Sequence, residues 1–232
     1  MRGRRFRGVC GESFFWGAGC MSKYTINVSF QTRVNKTMRT LEIAESFGLG
    51  LDEKEWTLYD NLELEVKQGD VVYITGQSGS GKSVVLRELQ RQMKDEGLSV
   101  ASIDDFTFNN EVNVIDQLGK TTSDALGLLS MAGLNDAYLF VRKPSEMSDG
   151  QKYRLKIAKL IESGAKVWAA DEFGAVLDRV TAQVVASNLQ RAARKVGATV
   201  MVATTHEDLK NALRPDMQIT KHYKERVKVE YA

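Results

Sequence analysis

The sequence predicts an α/β fold built on a mainly parallel sheet. Three observations carry this. Apolar runs of strand length alternate with segments of helical period, the pattern of parallel strands joined by crossover helices. Val71–Thr75, Val167–Ala170 and Thr199–Ala203 are continuous apolar runs, as expected of strands covered on both faces. The first of them runs into Gly76-Gln77-Ser78-Gly79-Ser80-Gly81-Lys82-Ser83, which fits G-x-x-x-x-G-K-[ST] and opens a helical segment.

Residues 1–20 differ in character from the rest of the chain. They hold Arg2, Arg4, Arg5 and Arg7 among glycines, then Gly11-Glu12-Ser13-Phe14-Phe15-Trp16-Gly17. Glu12 interrupts the apolar stretch, so no signal peptide is predicted. Gly17-Ala18-Gly19-Cys20 lacks the large apolar residue that opens a lipoprotein cleavage box. The expectation is a disordered extension over 1–20, with the folded chain starting at Met21.

Next, Tyr24, Ile26, Val28 and Phe30 alternate with Thr25, Asn27 and Ser29, a strand with one wet face. Residues 39–47 fit a strand or a short helix equally. Gly48–Gly50 and Asp52–Glu55 read as a loop. Leu62, Leu64 and Val66 stand opposite Glu63, Glu65 and Lys67 in a second alternating strand, and Gln68-Gly69-Asp70 turns it into Val71–Thr75. Beyond the glycine loop, Val85, Leu86, Leu89 and Met93 share one helical face, and Gly97 closes that helix. Residues 98–103 read as a strand, 104–113 as a polar loop, and 114–118 and 123–132 as short helices. Pro144 lies in a linker. A long helix over 151–163 carries Leu155, Ile157, Ala158 and Ile161. After Val167–Ala170 come an amphipathic helix over 181–196, the strand Thr199–Ala203, a helix over 207–213 closed by Pro215, and an edge strand at 227–231.

The chain has 232 residues, enough to bury a core without disulfides or a structural metal. Its 43% apolar and 27% charged content are those of a globular protein. No apolar run is long enough to span a membrane. The formal charge of +2 comes from the first 20 residues, which carry +3, so the rest is close to neutral and net charge supports no nucleic-acid reading. Both cysteines, Cys10 and Cys20, also lie there; a body without cysteine suits a reducing, cytoplasmic setting. His206 and His222 cannot form a histidine-rich metal site.

The glycine loop predicts chemistry directly. Glycines let the backbone wrap an anion with its N–H groups, and the helix after them adds its positive end. Lys82 is placed to reach the β- and γ-phosphates of a nucleotide, and the Ser83 hydroxyl to complete Mg²⁺ coordination. Val167–Ala170 ends in Asp171-Glu172, two carboxylates at the edge of a parallel sheet where ligands bind. Asp171 suits the metal and Glu172 suits a general base that polarises water.

Met147-Ser148-Asp149-Gly150-Gln151, with Ser148 standing 19 residues before Val167, precedes the long helix. Alone it is an ordinary N-cap turn. Behind the phosphate loop, it makes the chain resemble an ABC-type ATPase, whose signature reads Leu-Ser-Gly-Gly-Gln. Ser148, Gly150 and Gln151 are retained; Met147 and Asp149 depart from it. Gly174-Ala175-Val176-Leu177-Asp178 resembles the family's dimer-contact loop, and His206 after Thr204-Thr205 resembles its switch histidine. The resemblance covers roughly residues 41–213. It implies a P-loop NTPase of ABC type with an N-terminal antiparallel β part and a short helical subdomain at about 105–165. It also implies ATP and Mg²⁺ as ligands, bound by residues 76–84 (Gly76 to Val84), with Ser83 and Asp171 on the metal. Two copies would sandwich two ATPs, Ser148, Gly150 and Gln151 of one copy meeting the γ-phosphate held by the other, with Lys82, Glu172 and His206 as catalytic groups. Phe47, then Trp56, is the aromatic expected on adenine.

Two departures bear on function. The family's Gln after the strand that succeeds the first helix is missing; Asp104, Asp105 and Gln117 are left as replacements. Only 66 positions separate Lys82 from Ser148, fewer than in typical transporter ATPases. The wording Ser-Asp-Gly-Gln-Lys-Tyr-Arg and Trp-Ala-Ala-Asp-Glu-Phe is similar to a small prokaryotic group of ATPases sometimes fused to an acetyltransferase-like domain, although no such domain is present here. The main expectation is therefore a soluble ATPase not dedicated to transport, without direct membrane insertion, whose downstream partner is a soluble enzyme, nucleic acid or permease. The alternative is the ATP-binding subunit of a transporter with a separately encoded permease. A small-molecule kinase would leave Ser148–Gln151 and His206 without a purpose.

Overall fold

A computed structural model describes residues 21–32, 35–50, 54–223 and 225–232, so the extension over 1–20 lies outside the described residues. The chain divides into two compact units, one over Tyr24–Leu64 and the other built mainly from Glu65–Ala232.

Two strands, β1 (Met21–Thr32) and β2 (Lys54–Lys67), form a two-stranded sheet, most of which falls in the smaller unit, and α1 (Met38–Phe47) lies between them in sequence. The ambiguous stretch is thus a helix. Thr37 and Thr40 close a capping box at its start, and Gly48 ends it in the left-handed conformation that glycine adopts without a Cβ clash. The alternation in β1 holds for Tyr24 and Ile26, which are buried, and fades toward Phe30, which is exposed and sets its ring 6.0 Å from that of Trp56. Lys54 and Glu55, expected in a loop, belong to β2; residues 51–53 of that expected loop lie outside the described residues.

The larger unit holds a six-stranded sheet. Its strands are β3 (Val71–Thr75), β4 (Val100–Ser102), β5 (Val167–Ala170), β6 (Thr199–Thr204), β7 (Met217–Thr220) and β8 (Lys228–Tyr231), in the spatial order β4-β5-β6-β3-β7-β8. The first five are parallel and only β8 is antiparallel, paired with β7 as an edge strand. Every residue of β3, β5 and β6 is buried, as their continuous apolar runs require. Trp168 is tolerated inside β5 because its indole N–H donates to the Ala165 carbonyl at 3.0 Å.

Helices cover the sheet. They are α2 (Lys82–Asp95), α3 (Thr122–Met131), the short α4 (Ala137–Phe140), α5 (Asp149–Ser163), α6 (Arg179–Val196) and the short α7 (Lys210–Leu213). Val85, Leu86, Leu89 and Met93 of α2 are buried, as their shared face predicts; each stabilises the fold by roughly 1.5–3 kcal/mol. One apolar cluster unites β3, β5 and β6 with side chains of α3, α5 and α6.

Several boundaries move for local reasons. The strand expected over 98–103 is only Val100–Ser102, because the Ser102 hydroxyl accepts from the Asp104 N–H and starts a 3-10 turn at Ile103–Asp105. The segment at 114–118 is also a 3-10 turn, Val114–Gln117, and Pro144 opens another in the expected linker, Pro144–Glu146. The helix expected over 207–213 is confined to α7, its earlier residues being drawn aside by side-chain bonds of Asp208. Strand β7 was not expected: four residues carry too short a period to separate them from loop, and their pairing with β3 is long-range.

Candidate functional site

Parallel register puts the candidate groups on one edge. Thr75 pairs with Thr204, Ala170 with Val202, and β5, β6 and β3 are neighbours. The residues just beyond these three strands, Gly76, Asp171 and Thr205-His206, therefore emerge side by side at the C-terminal edge.

The glycine loop is built for close backbone approach. Gly76, Gly79 and Gly81 have φ of +138°, +73° and +101°. A Cβ on Gly76 would lie 1.8 Å from the Lys221 carbonyl oxygen, so the loop is seated against the chain that leaves β7. The Tyr223 N–H donates to the Gln77 side-chain oxygen at 3.4 Å, a second tie to that segment. Ser78 is exposed. Ser80 is buried, and its hydroxyl has no hydrogen-bond partner among the described residues, an orphaned polar atom inside the loop. Gly81 caps α2 without a side chain, which leaves the first turn to be capped by an anion. The N–H of Val84 donates to the Gly81 carbonyl at 3.0 Å.

Lys82 is buried and donates to the Gln77 carbonyl at 2.7 Å. Burial pulls its pKa below the ordinary lysine value, against the opposing pull of the Asp171 and Glu172 carboxylates. The Ser83 hydroxyl donates to Asp171 Oδ1 at 2.8 Å, joining the loop to the end of β5. A hydroxyl and a carboxylate already in register, beside a glycine cradle and an orphaned hydroxyl, are an oxygen donor set that fits a phosphate chain with Mg²⁺. Glu172 comes next at φ +46°, a left-handed conformation unusual for a residue with a Cβ, and its N–H donates to Asp171 Oδ1 at 3.0 Å.

Ser83, Asp171 and Glu172 line a cleft of about 610 Å³, together with Asp104 and, from α5, Asp149 and Lys152. Of the three replacements considered for the missing Gln, Asp104 is the one at this cleft; its Oδ2 accepts from the Asp171 N–H at 3.4 Å. Asp105 bonds back to the Ser102 N–H, and Gln117 is spent on the backbone of Asn109 and Val112.

Ser148 and Gln151 form a capping box at the start of α5, with Ser148 N–H to Gln151 Oε1 at 2.9 Å and Gln151 N–H to Ser148 Oγ at 3.4 Å. Gly150 is required by packing: a Cβ there would come within 2.5 Å of Thr181 Cγ2 on α6. The His206 N–H donates to Thr204 Oγ1 at 3.1 Å, its carbonyl accepts from the Tyr73 hydroxyl, and its ring lies close to Gly174. Phe47 and Trp56 belong to the smaller unit and are both exposed.

The motif reading missed Arg87. It sits one helical turn after Ser83 and places its guanidinium 3.6 Å from Asp171 Oδ2; spacing i, i+4 from Ser83 was the available signal. The seating of Gly76 on Lys221 had no signal in the sequence.

A family model described as ABC transporter matches residues 59–175, just over half of the chain. Among curated proteins, the methionine import ATP-binding protein MetN of Geobacillus kaustophilus (strain HTA426) is 26% identical over 188 residues, 65% of this chain and 53% of its own length. MetN 1 of Oenococcus oeni (strain ATCC BAA-331 / PSU-1) is 28% identical over 191 residues, 66% and 53%. The chain thus spans about half the length of the curated relatives it matches. In fold it is similar to the ATP-binding cassette MJ0796 in a dimeric post-hydrolysis state bound to ADP and Pi, with a TM-score of 0.59 at 19% identity over 90% of this chain and 98% of that one. A putative metal-chelate type ABC transporter in an inward-facing conformation aligns at 0.58 and 21% identity, over 75% and 77%.

Proposed function

The chain belongs to the ABC transporter family, whose cassettes bind and hydrolyse ATP with Mg²⁺, and on that premise we propose that it works as a nucleotide-sandwich homodimer. The observation that carries the nucleotide site is the Ser83–Asp171 bond, which joins the phosphate loop to the strand that delivers Glu172, and the likeness in fold to cassettes solved as dimers supports the pairing of two copies. Residues 76–84 wrap the phosphates. Lys82 turns its ammonium from the Gln77 carbonyl to the β- and γ-phosphate oxygens. Ser83 and Asp171 would hold Mg²⁺, which would supply charge neutralisation when bound. Glu172 accepts a proton from the attacking water, and His206 donates a hydrogen bond to the γ-phosphate. Ser148, Gly150 and Gln151 present the α5 N-terminus to the ATP of the other copy, where the helix end favours an anion.

Glu172→Gln tests this. It removes the base and keeps the shape, so turnover is expected to fall by about 1,000-fold or more while an ATP-dependent dimer persists on size exclusion. A variant that stays monomeric with ATP and Mg²⁺ overturns the sandwich.

The relatives named as import ATP-binding proteins support a transporter subunit better than the soluble reading drawn from the sequence. We therefore propose that the cycle drives a separately encoded permease, engaged from the cytoplasmic side. No helix among the described residues is long and apolar enough to cross a membrane. The soluble reading is supported by Asp104 at the cleft in place of Gln and by the small α3 and α4. Affinity capture with the ATP-trapped Glu172→Gln dimer separates them: a membrane permease supports the first, a soluble enzyme or nucleic acid the second.

A further inference from the structure

Among the described residues, the Asp208 side chain bonds to two side chains, both on α6. Its Oδ2 accepts from Arg179 Nε at 2.5 Å and from Gln183 Nε2 at 3.2 Å. Asp208 stands two residues beyond His206, and Arg179 and Gln183 lie one turn apart at the start of α6. That same turn is capped by Asp178, whose Oδ1 accepts from the N–H groups of Val180 and Thr181 at 3.1 and 3.0 Å. Thr181 is the residue against which Gly150 packs. One rigid turn thus touches the His206 loop at one point and the Ser148–Gln151 turn at another. As a source of stability the Arg179–Asp208 pair is weak, because Arg179 is 75% exposed and exposed ion pairs contribute little. Its geometry fits positioning.

We propose that Arg179 and Asp208 are positioning residues that fix the His206 loop on α6, and that the first turn of α6 couples His206 of one ATP site to the Ser148–Gly150 turn that serves the other. The inference rests on the proposed sandwich dimer. A change in the loop at His206 moves Asp208, Asp208 carries Arg179 and Gln183, and Thr181 passes the shift to Gly150, where there is no room for slack. The two ATP sites then act in concert, a coupling of binding free energies through one packed element.

Arg179→Gln tests the pair. The kcat for ATP is expected to fall on the order of 10-fold, since small misplacements of catalytic groups are costly. The KM and the affinity of the separate copy for a fluorescent ATP analogue stay within about twofold. The Hill coefficient for ATP hydrolysis drops to about 1 from a higher wild-type value. Arg179→Lys keeps a cationic donor and recovers most of the loss. Lys210→Gln, which breaks the exposed Lys210–Glu230 pair, serves as a control and changes nothing. Three results overturn the proposal: an unchanged kcat and Hill coefficient in Arg179→Gln, a loss of nucleotide affinity that parallels the loss of kcat, or equal damage in the Lys and Gln variants. If Glu172→Gln forms no ATP-dependent dimer, the dimer reading itself fails; if the dimer forms and Arg179→Gln keeps its cooperativity, only the coupling fails.

Discussion

Gly76 and Gly79 share one loop but differ in what fixes them. Gly76 faces backbone: a Cβ would meet the Lys221 carbonyl at 1.8 Å, and that residue is held by its own N–H donating to the Thr75 carbonyl at 2.9 Å. No rotamer change relieves the clash. Gly79, at φ +73°, has nothing within 4 Å of an added Cβ. Gly76→Ala is therefore expected to cost about 3 kcal/mol or more, with loss of nucleotide binding, whereas Gly79→Ala costs about 1 kcal/mol from its left-handed backbone alone. Urea midpoints and titration with a fluorescent ATP analogue on the two variants check this ordering; equal losses would show that loop conformation, not the Lys221 contact, dominates. The motif made both glycines legible as residues, but not their ranking, because Lys221 is 145 positions away in the chain and reaches Gly76 only through the pairing of β7 on β3. Glu172 is similar: its place after β5 was readable, its left-handed backbone was not.

Elements can be read from sequence where a cap or a period is local, and depart from it where a side chain is claimed from afar. The long helix was expected from residue 151 and begins at Asp149, because Ser148 is its N-cap. The helix expected from 207 shrinks to Lys210–Leu213, and the reason is Asp208: Arg179 and Gln183 hold its side chain, so the backbone around it adopts their geometry rather than helical propensity. Ser148 carries two roles that can be separated, capping α5 and, as proposed, meeting the neighbouring γ-phosphate. Ser148→Asp retains capping power, since Asp and Ser rank together at N-caps, but sets a carboxylate where the phosphate would lie. Thermal stability is expected to change by less than about 0.5 kcal/mol, while the ATP-dependent dimer of a Glu172→Gln background disappears. Ser148→Ala should lose about 1 kcal/mol of stability. A Ser148→Asp protein that dimerises normally would reduce Ser148 to a cap.

At the scale of the whole molecule, the alternation of strands and helices made the parallel α/β class readable, but the order β4-β5-β6-β3-β7-β8 was not, since no local pattern tells a strand which neighbour it will have. The core that results imposes its own pH limit. Tyr73 is fully buried on β3, and Tyr153 of α5 packs edge-on against Phe173 with ring centroids 5.2 Å apart. Burial raises the pKa of both phenols above the ordinary tyrosine value of 10.0. Proton counts set the sign of the effect. Above pH 10 the unfolded chain loses these protons while the folded chain keeps them, so the unfolded state is favoured progressively as pH rises. Each such phenol weakens the fold by up to about 1.4 kcal/mol per pH unit beyond that point, and below it contributes no pH dependence. Tyr153→Phe removes one ionisable group and keeps the ring contact with Phe173. Its urea midpoint should therefore fall less steeply than that of the wild type between pH 10 and pH 11, by about one proton's worth of slope, with parallel curves near neutrality. Equal slopes above pH 10 would mean that Tyr153, which also lines the cleft of Ser83, Asp171 and Glu172, ionises in the folded protein as readily as in the unfolded chain, and that this part of the cleft is wetter than the packing on Phe173 implies.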